Sequence, residues 1–163
     1  SKLSASLQTT GYLVVLDHIQ NRLARNKEIG KYTWIFIDEF HILLSNPYSA
    51  QYVANFYKTG RKLNALNTVI SQQIAHLLRS EAGRDILSNS EFALILKQKT
   101  LDLPDICSIF NISQEESMYI QGDAPTGQGL VVFGSDVIPF TNKVPKDYLI
   151  YQVNNTDNIV QAR

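Results

Sequence analysis

Two adjacent carboxylates, Asp38 and Glu39, directly follow a run of four apolar residues, 34–37. A buried strand would hold the first carboxylate rigidly where the strand ends, and a carboxylate there suits Mg²⁺. Because side chains alternate along a strand, the second carboxylate points elsewhere and could accept a proton from a water molecule. The pair therefore predicts metal-assisted hydrolysis, with Asp38 as the metal ligand and Glu39 as the general base.

The arrangement has the form of a Walker B motif, in which the metal bridges the phosphates of a nucleoside triphosphate. Short motifs of this kind also occur by chance, and apolar strands that end in acidic residues are common. From these six residues alone, the segment could also be an ordinary strand that ends in acidic residues.

Gln72 follows the next apolar strand pattern, residues 67–70. In a parallel sheet the carboxyl ends of the strands meet at one edge, where ligands collect. We therefore expect Gln72 to join Asp38 and Glu39 at the nucleotide, where it would sense the γ-phosphate or position the attacking water. The alternative is an exposed polar residue at a strand end.

Arg61 and Lys62 lie between the two strand patterns. A cation at this place could reach the phosphates bound by a neighbouring subunit and act as an arginine finger. The alternative is the solvated end of an amphipathic helix.

None of the eight glycines begins the Gly-x-x-x-x-Gly-Lys-Ser/Thr loop that holds nucleotide phosphates. The segment 122–129 contains several glycines, but it lacks the Gly-Lys pair and precedes a strand rather than a helix. Since the chain starts at Ser1 without Met, we expect a fragment that begins after this loop. We therefore expect no ATPase activity from the 163 residues alone.

The elements around these residues alternate between helices and apolar strands, which predicts an α/β fold with a mostly parallel sheet flanked by helices. One domain would span residues 1–163 and end in a frayed polar tail, 152–163. The strand at 33–37 shows no alternation of apolar and polar residues, so both of its faces should be covered.

The predicted helices are 11–26, 48–63, 74–88 with a break near Gly83, 103–110 behind an Asp102 cap, and 114–121 behind a capping box at Ser113. The further strands are 67–70, 92–96 and a C-terminal antiparallel hairpin, 129–133 with 137–140.

Fifteen basic residues balance fifteen acidic ones, so the overall charge does not indicate nucleic-acid binding by the whole surface. Local basic patches that bind nucleic acid are still possible.

The one cysteine, Cys107, excludes an internal disulfide and a multi-cysteine metal site. His41 has no second histidine at metal-ligand spacing, so we expect it to orient Glu39 or to cap the following turn. His18 and His76 are interpreted as structural.

In order and spacing, several segments resemble the large ATPase of type IV secretion and conjugation systems, of the kind found on Gram-positive conjugative elements. The similarity covers about residues 10–150 and is carried by 38–44, Arg61-Lys62, 70–78, 86–92, 127–133 and 138–140. Relatives often have a glycine-containing turn after the Arg-Lys pair, whereas this chain has Leu63-Asn64-Ala65.

This resemblance implies the C-terminal part of a RecA-like P-loop ATPase domain of the HerA/FtsK type. It implies ATP and Mg²⁺ as cofactors, with Asp38 and Glu39 as the Walker B pair and Gln72 and Arg61 in the roles given above. It also implies a homo-oligomeric, hexameric ring at the cytoplasmic face of the cell membrane. There it would act with other channel components to export DNA or protein.

The sequence is also compatible with two other functions. A catalytically degenerate ATPase-like domain could serve as an interaction module of the secretion channel. A DNA-pumping coupling protein of the same systems would share the fold and the Walker B motif.

Overall fold

The structure, a computed structural model, describes residues 5–72 and 74–154. By its internal contacts the chain divides into two compact units, Ser1–Glu91 and Phe92–Arg163. The single domain over 1–163 stays a prediction. Of the predicted polar tail, residues 152–154 end a short helix, and the remainder lies outside the described residues.

The first unit consists of helices and a parallel pair of strands. In chain order its elements are α1 (Ala5–Glu28), β1 (Thr33–Ile37), α2 (His41–Leu44), α3 (Pro47–Thr59), a 3-10 helix (Gly60–Leu63), β2 (Ala65–Val69), α4 (Ile74–Arg79) and α5 (Glu81–Ser88).

Strands β1 and β2 pair in parallel, with Thr33 opposite Ala65 and Ile37 opposite Val69. The pairing continues beyond the strands, since the Ile70 N–H donates to the Ile37 carbonyl at 2.8 Å. The core of this unit contains apolar side chains from five helices or turns: Leu16, Phe40, Val53, Phe56, Leu77 and Ile86. Ile37 and Val69 pack against it, so the helices cover the sheet face that carries these two residues.

The opposite face of β1 and β2 is open within the described residues. Trp34 and Phe36 are each 61% exposed, whereas Ile35 on the other face is 8% exposed. The Trp34 ring stacks on Phe36, and its indole N–H donates to the Thr68 hydroxyl at 2.8 Å. The prediction that this strand is covered on both faces is therefore wrong for the described part of the chain, because its helices pack on one side only.

The turn before β2 uses an asparagine instead of glycine. Asn64 ends the 3-10 helix with φ +51° and ψ +37°, the left-handed conformation that glycine adopts most easily. Asparagine is among the few other residues that tolerate it. The Leu63-Asn64-Ala65 sequence thus makes this turn without a glycine.

The predicted helix 74–88 is broken at Ser80 rather than at Gly83. Ser80 has an extended backbone, and its hydroxyl accepts the Gly83 N–H as the N-cap of α5. A Cβ on Gly83 would lie 2.1 Å from the Leu77 carbonyl oxygen. Glycine is required there for the close approach of the two helices, and the break itself comes from the serine cap.

The second unit contains β3 (Phe92–Leu96), α6 (Leu103–Phe110), α7 (Gln114–Ser117), β4 (Gln128–Phe133), β5 (Asp136–Thr141) and α8 (Leu149–Asn154). The predicted C-terminal hairpin is confirmed, and β3 pairs antiparallel with β4 to make the sheet three-stranded.

The caps of α6 and α7 differ from each other. The capping box at Ser113 and Glu116 is confirmed, although α7 is shorter than predicted. Asp102 occupies the N-cap position of α6 without a side-chain hydrogen bond to the helix, so its predicted capping role is wrong.

Candidate functional site

The two carboxylates follow β1 at a sharp change of chain direction. Glu39 has φ +48°, a left-handed conformation that is uncommon for a residue other than glycine. The next residue, Phe40, is fully buried, and its N–H donates to the Ile70 carbonyl at 3.1 Å. The backbone of Glu39 is thus held between a strand end and a core residue. Such conformations persist only where the surroundings enforce them, and they concentrate at functional sites.

Both carboxylate oxygens of Glu39 have a side-chain partner. The Gln72 amide nitrogen donates to Oε1 at 2.5 Å, and Nδ1 of His41 lies 3.2 Å from Oε2. Gln72 follows β2, so this contact joins the carboxyl ends of the two parallel strands. The structure therefore brings Glu39 and Gln72 together, as the sequence predicted, while their chemical roles stay predictions.

Asp38 is exposed at the same strand end, and one of its oxygens accepts the Glu39 N–H at 2.8 Å. Among the described residues, no three His, Cys, Asp or Glu side chains group closely enough to form a metal cage. Mg²⁺ at nucleotide sites typically takes only one or two protein carboxylates, with phosphates and waters completing its octahedron. A single exposed carboxylate therefore fits a Mg²⁺–nucleotide site.

Arg61 lies at the other end of the sheet. It belongs to the 3-10 helix that leads into β2, whereas Asp38 follows the carboxyl end of the parallel partner β1. A five-residue strand is about 16 Å long. The length of the sheet thus separates Arg61 from the carboxylates of its own chain.

The Arg61 guanidinium pairs with the Glu91 carboxylate, and both side chains are largely exposed. Sequence reasoning missed Glu91 as the partner, since nothing in the spacing of residues 61 and 91 signals the contact. Exposed pairs of this kind contribute little to stability, so Arg61 can exchange Glu91 for another anion at small cost.

The family of the chain follows from a comparison with known domains. The family model of the TraG P-loop domain matches residues 5–124, and the chain belongs to this family. This confirms the resemblance to the ATPases of type IV secretion and conjugation systems that the sequence predicted.

Fourteen solved chains match, and one is described as the structure of VirB4 of Thermoanaerobacter pseudethanolicus. It shares 29% sequence identity and a TM-score of 0.71 with this chain. The match covers 82% of this chain and 36% of the solved one, so the chain spans about a third of that relative's length. The predicted P-loop α/β fold, with a parallel sheet and a C-terminal antiparallel hairpin, is thereby confirmed. A search of curated protein sequences gave no match.

No helix in the described ranges 5–72 and 74–154 has both the length and the apolar character needed to cross a membrane.

Proposed function

We propose that this segment forms part of the ATPase site of a conjugative-transfer or type IV secretion motor, which couples ATP hydrolysis to the translocation of DNA or protein. The observation that carries the proposal is the Gln72–Glu39 hydrogen bond across the ends of β1 and β2. It places an amide donor on a carboxylate that the backbone holds in an enforced conformation.

In the proposed site, Asp38 holds Mg²⁺, directly or through water. The metal, when bound, neutralises charge that develops on the β- and γ-phosphates. Glu39 accepts a proton from the attacking water, and Gln72 orients that water or contacts the γ-phosphate. The phosphates are cradled by a Gly-x-x-x-x-Gly-Lys-Ser/Thr loop outside residues 1–163, so the segment alone is inactive.

Arg61 completes the proposed site from a neighbouring subunit. Its distance from the carboxylates of its own chain supports a role in trans, which requires a homo-oligomer such as a hexameric ring. The ring would work with other channel components at the cytoplasmic face of the cell membrane.

The test is Glu39→Gln in the protein that carries this segment together with its phosphate loop. The amide keeps the shape of the side chain but is a very weak base, so the kcat for ATP hydrolysis should fall by about 10²- to 10⁴-fold. Binding of a fluorescent ATP analogue should be retained. Glu28→Gln is the matched control, because Glu28 is exposed and ends α1, close in sequence to the amino end of β1. Undiminished hydrolysis by Glu39→Gln would overturn the proposed function.

A further inference from the structure

His41 begins α2, the short helix that follows the carboxylate pair. Helix side chains two residues apart do not face each other. Here the left-handed backbone of Glu39 precedes the helix, and the two side chains meet, with His41 Nδ1 3.2 Å from Glu39 Oε2. The contact therefore depends on the enforced turn between strand and helix.

The turn that carries His41 is well fixed. The Ile42 N–H donates to the Glu39 carbonyl at 2.9 Å, and the Leu43 N–H donates to the Phe40 carbonyl at 3.0 Å. Phe40, between Glu39 and His41, is fully buried in the core. Both the imidazole and the carboxylate thus extend from a backbone segment that is tied to the interior of the unit.

The contact orients a side chain more than it stabilises the fold. The His41 and Glu39 side chains are 37% and 39% exposed, and pairs this open to solvent add little to the free energy of unfolding. With Gln72 on Oε1 and His41 on Oε2, however, rotation of the carboxylate would break two contacts at once. Each oxygen keeps a further lone pair, so the carboxylate can still accept a proton.

We propose that His41 is a positioning residue for ATP hydrolysis, whose Nδ1–H donates to Glu39 Oε2 and holds that carboxylate in the orientation of a general base. The inference rests on the proposed function, because it assigns His41 a role through Glu39. Misplacing a reacting group by about 1 Å can lower a rate about 10²-fold. Loss of His41 therefore lowers kcat while nucleotide affinity is kept.

The test compares His41→Asn, His41→Gln and His41→Ala in the full ATP-hydrolysing protein. The asparagine amide can place an N–H where Nδ1 stands, whereas the longer glutamine carries its amide to the position of Nε2. We expect kcat to fall about 10- to 100-fold in His41→Ala and His41→Gln, with the KM for ATP changed less than about twofold. His41→Asn should recover most of the lost rate. His18→Ala, a change at an exposed histidine of α1, is the matched control and should keep wild-type kcat.

A wild-type kcat in His41→Ala would overturn the inference. So would equal kcat in the asparagine and glutamine variants, a comparison that decides the matter even if His41→Ala fails to fold. A rise in KM without a fall in kcat would also contradict it, since that pattern indicates lost nucleotide binding. Glu39→Gln in the same assay separates the two proposals. If Glu39→Gln is inactive and His41→Ala is fully active, only the role of His41 falls.

Discussion

Three residues other than glycine have left-handed backbone conformations among those described: Glu39, Asn64 and Asn111. The two asparagines each follow a helix, where this conformation is a common way to end the helical hydrogen bonding. Glu39 differs, because glutamate has no local preference for the conformation and the residue stands at the end of a strand. At the scale of single residues, the backbone itself therefore marks Glu39 as unusual.

The turn at Asn64 gives a prediction about stability. Asn64→Val should lower the free energy of unfolding by about 1–3 kcal/mol, because a β-branched side chain is strained at positive φ. Asn64→Gly should change it by less than about 1 kcal/mol, since glycine relieves strain but adds freedom to the unfolded chain. Urea denaturation of the two variants measures the difference. Equal stability of the valine and glycine variants would contradict the assigned conformation.

At the scale of elements, the parallel pairing of β1 and β2 controls which polar residues can meet. Residues that follow the two strands, such as Glu39 and Gln72, come into contact. A residue that precedes β2, such as Arg61, lies at the opposite end of the sheet. The parallel pairing thus allows Glu39 and Gln72 to act together within one chain. Arg61 could join such a site only from a second subunit.

The capping box of α7 predicts a dependence of stability on pH. Hydrogen bonds from the Ser113 backbone N–H and hydroxyl lower the pKa of Glu116 below its ordinary value. Because the pKa is lowered in the folded state, the stabilisation is complete above the ordinary glutamate pKa of about 4.3 and disappears as the pH falls through the lowered value. Glu116→Gln should therefore destabilise the protein near neutral pH, and the difference from the wild type should vanish in acid.

Urea denaturation at several pH values measures this difference. Glu115→Gln, one residue earlier and outside the capping box, is the control for loss of a negative charge near the start of the helix. The same pH dependence in both variants would show that the helix dipole, rather than the capping box, is responsible.

At the scale of the whole molecule, the proposed active site needs two subunits. Arg61→Ala and Glu39→Gln should each inactivate a pure oligomer. In mixed oligomers, an Arg61→Ala subunit supplies an intact Glu39, and its Glu39→Gln neighbour supplies an intact Arg61. In a head-to-tail ring, each proposed site takes Glu39 from one subunit and Arg61 from the next. When the two variants are mixed at random in equal amounts, up to about a quarter of the sites should therefore contain both intact residues.

The measurement is the ATPase rate of the two variants after they are mixed, dissociated and reassembled. Mixing Arg61→Ala with wild-type protein in the same way controls for the loss of activity during reassembly. No recovery in the mixture of the two variants would mean that Arg61 does not act from a neighbouring subunit.

Features with short-range causes could be predicted from the sequence. Apolar runs, turn residues and helix caps that lie within a few positions of each other determine several of these features. They include the bounds of β1, β3 and α6 and the capping box at Ser113. The order of two strands, each followed by polar residues, was enough to predict the meeting of Glu39 and Gln72, because parallel strands align their carboxyl ends.

Other features were decided by the tertiary structure, because they depend on residues far apart in the chain. Glycine at position 83 reflects the approach of the Leu77 carbonyl, which no local pattern reveals. The apolar run 34–37 would have the same sequence pattern whether one face or both faces of the strand were covered. In the described part of the chain the helices pack on one face only, and Trp34 and Phe36 on the other face are exposed. The sequence by itself thus indicated most of the elements and the candidate chemistry, but not the short helices α2 and α8. The tertiary structure decided that Glu39 is held by Gln72 and His41 and that Arg61 lies beyond its reach, since both depend on how the chain folds around the β1–β2 pair.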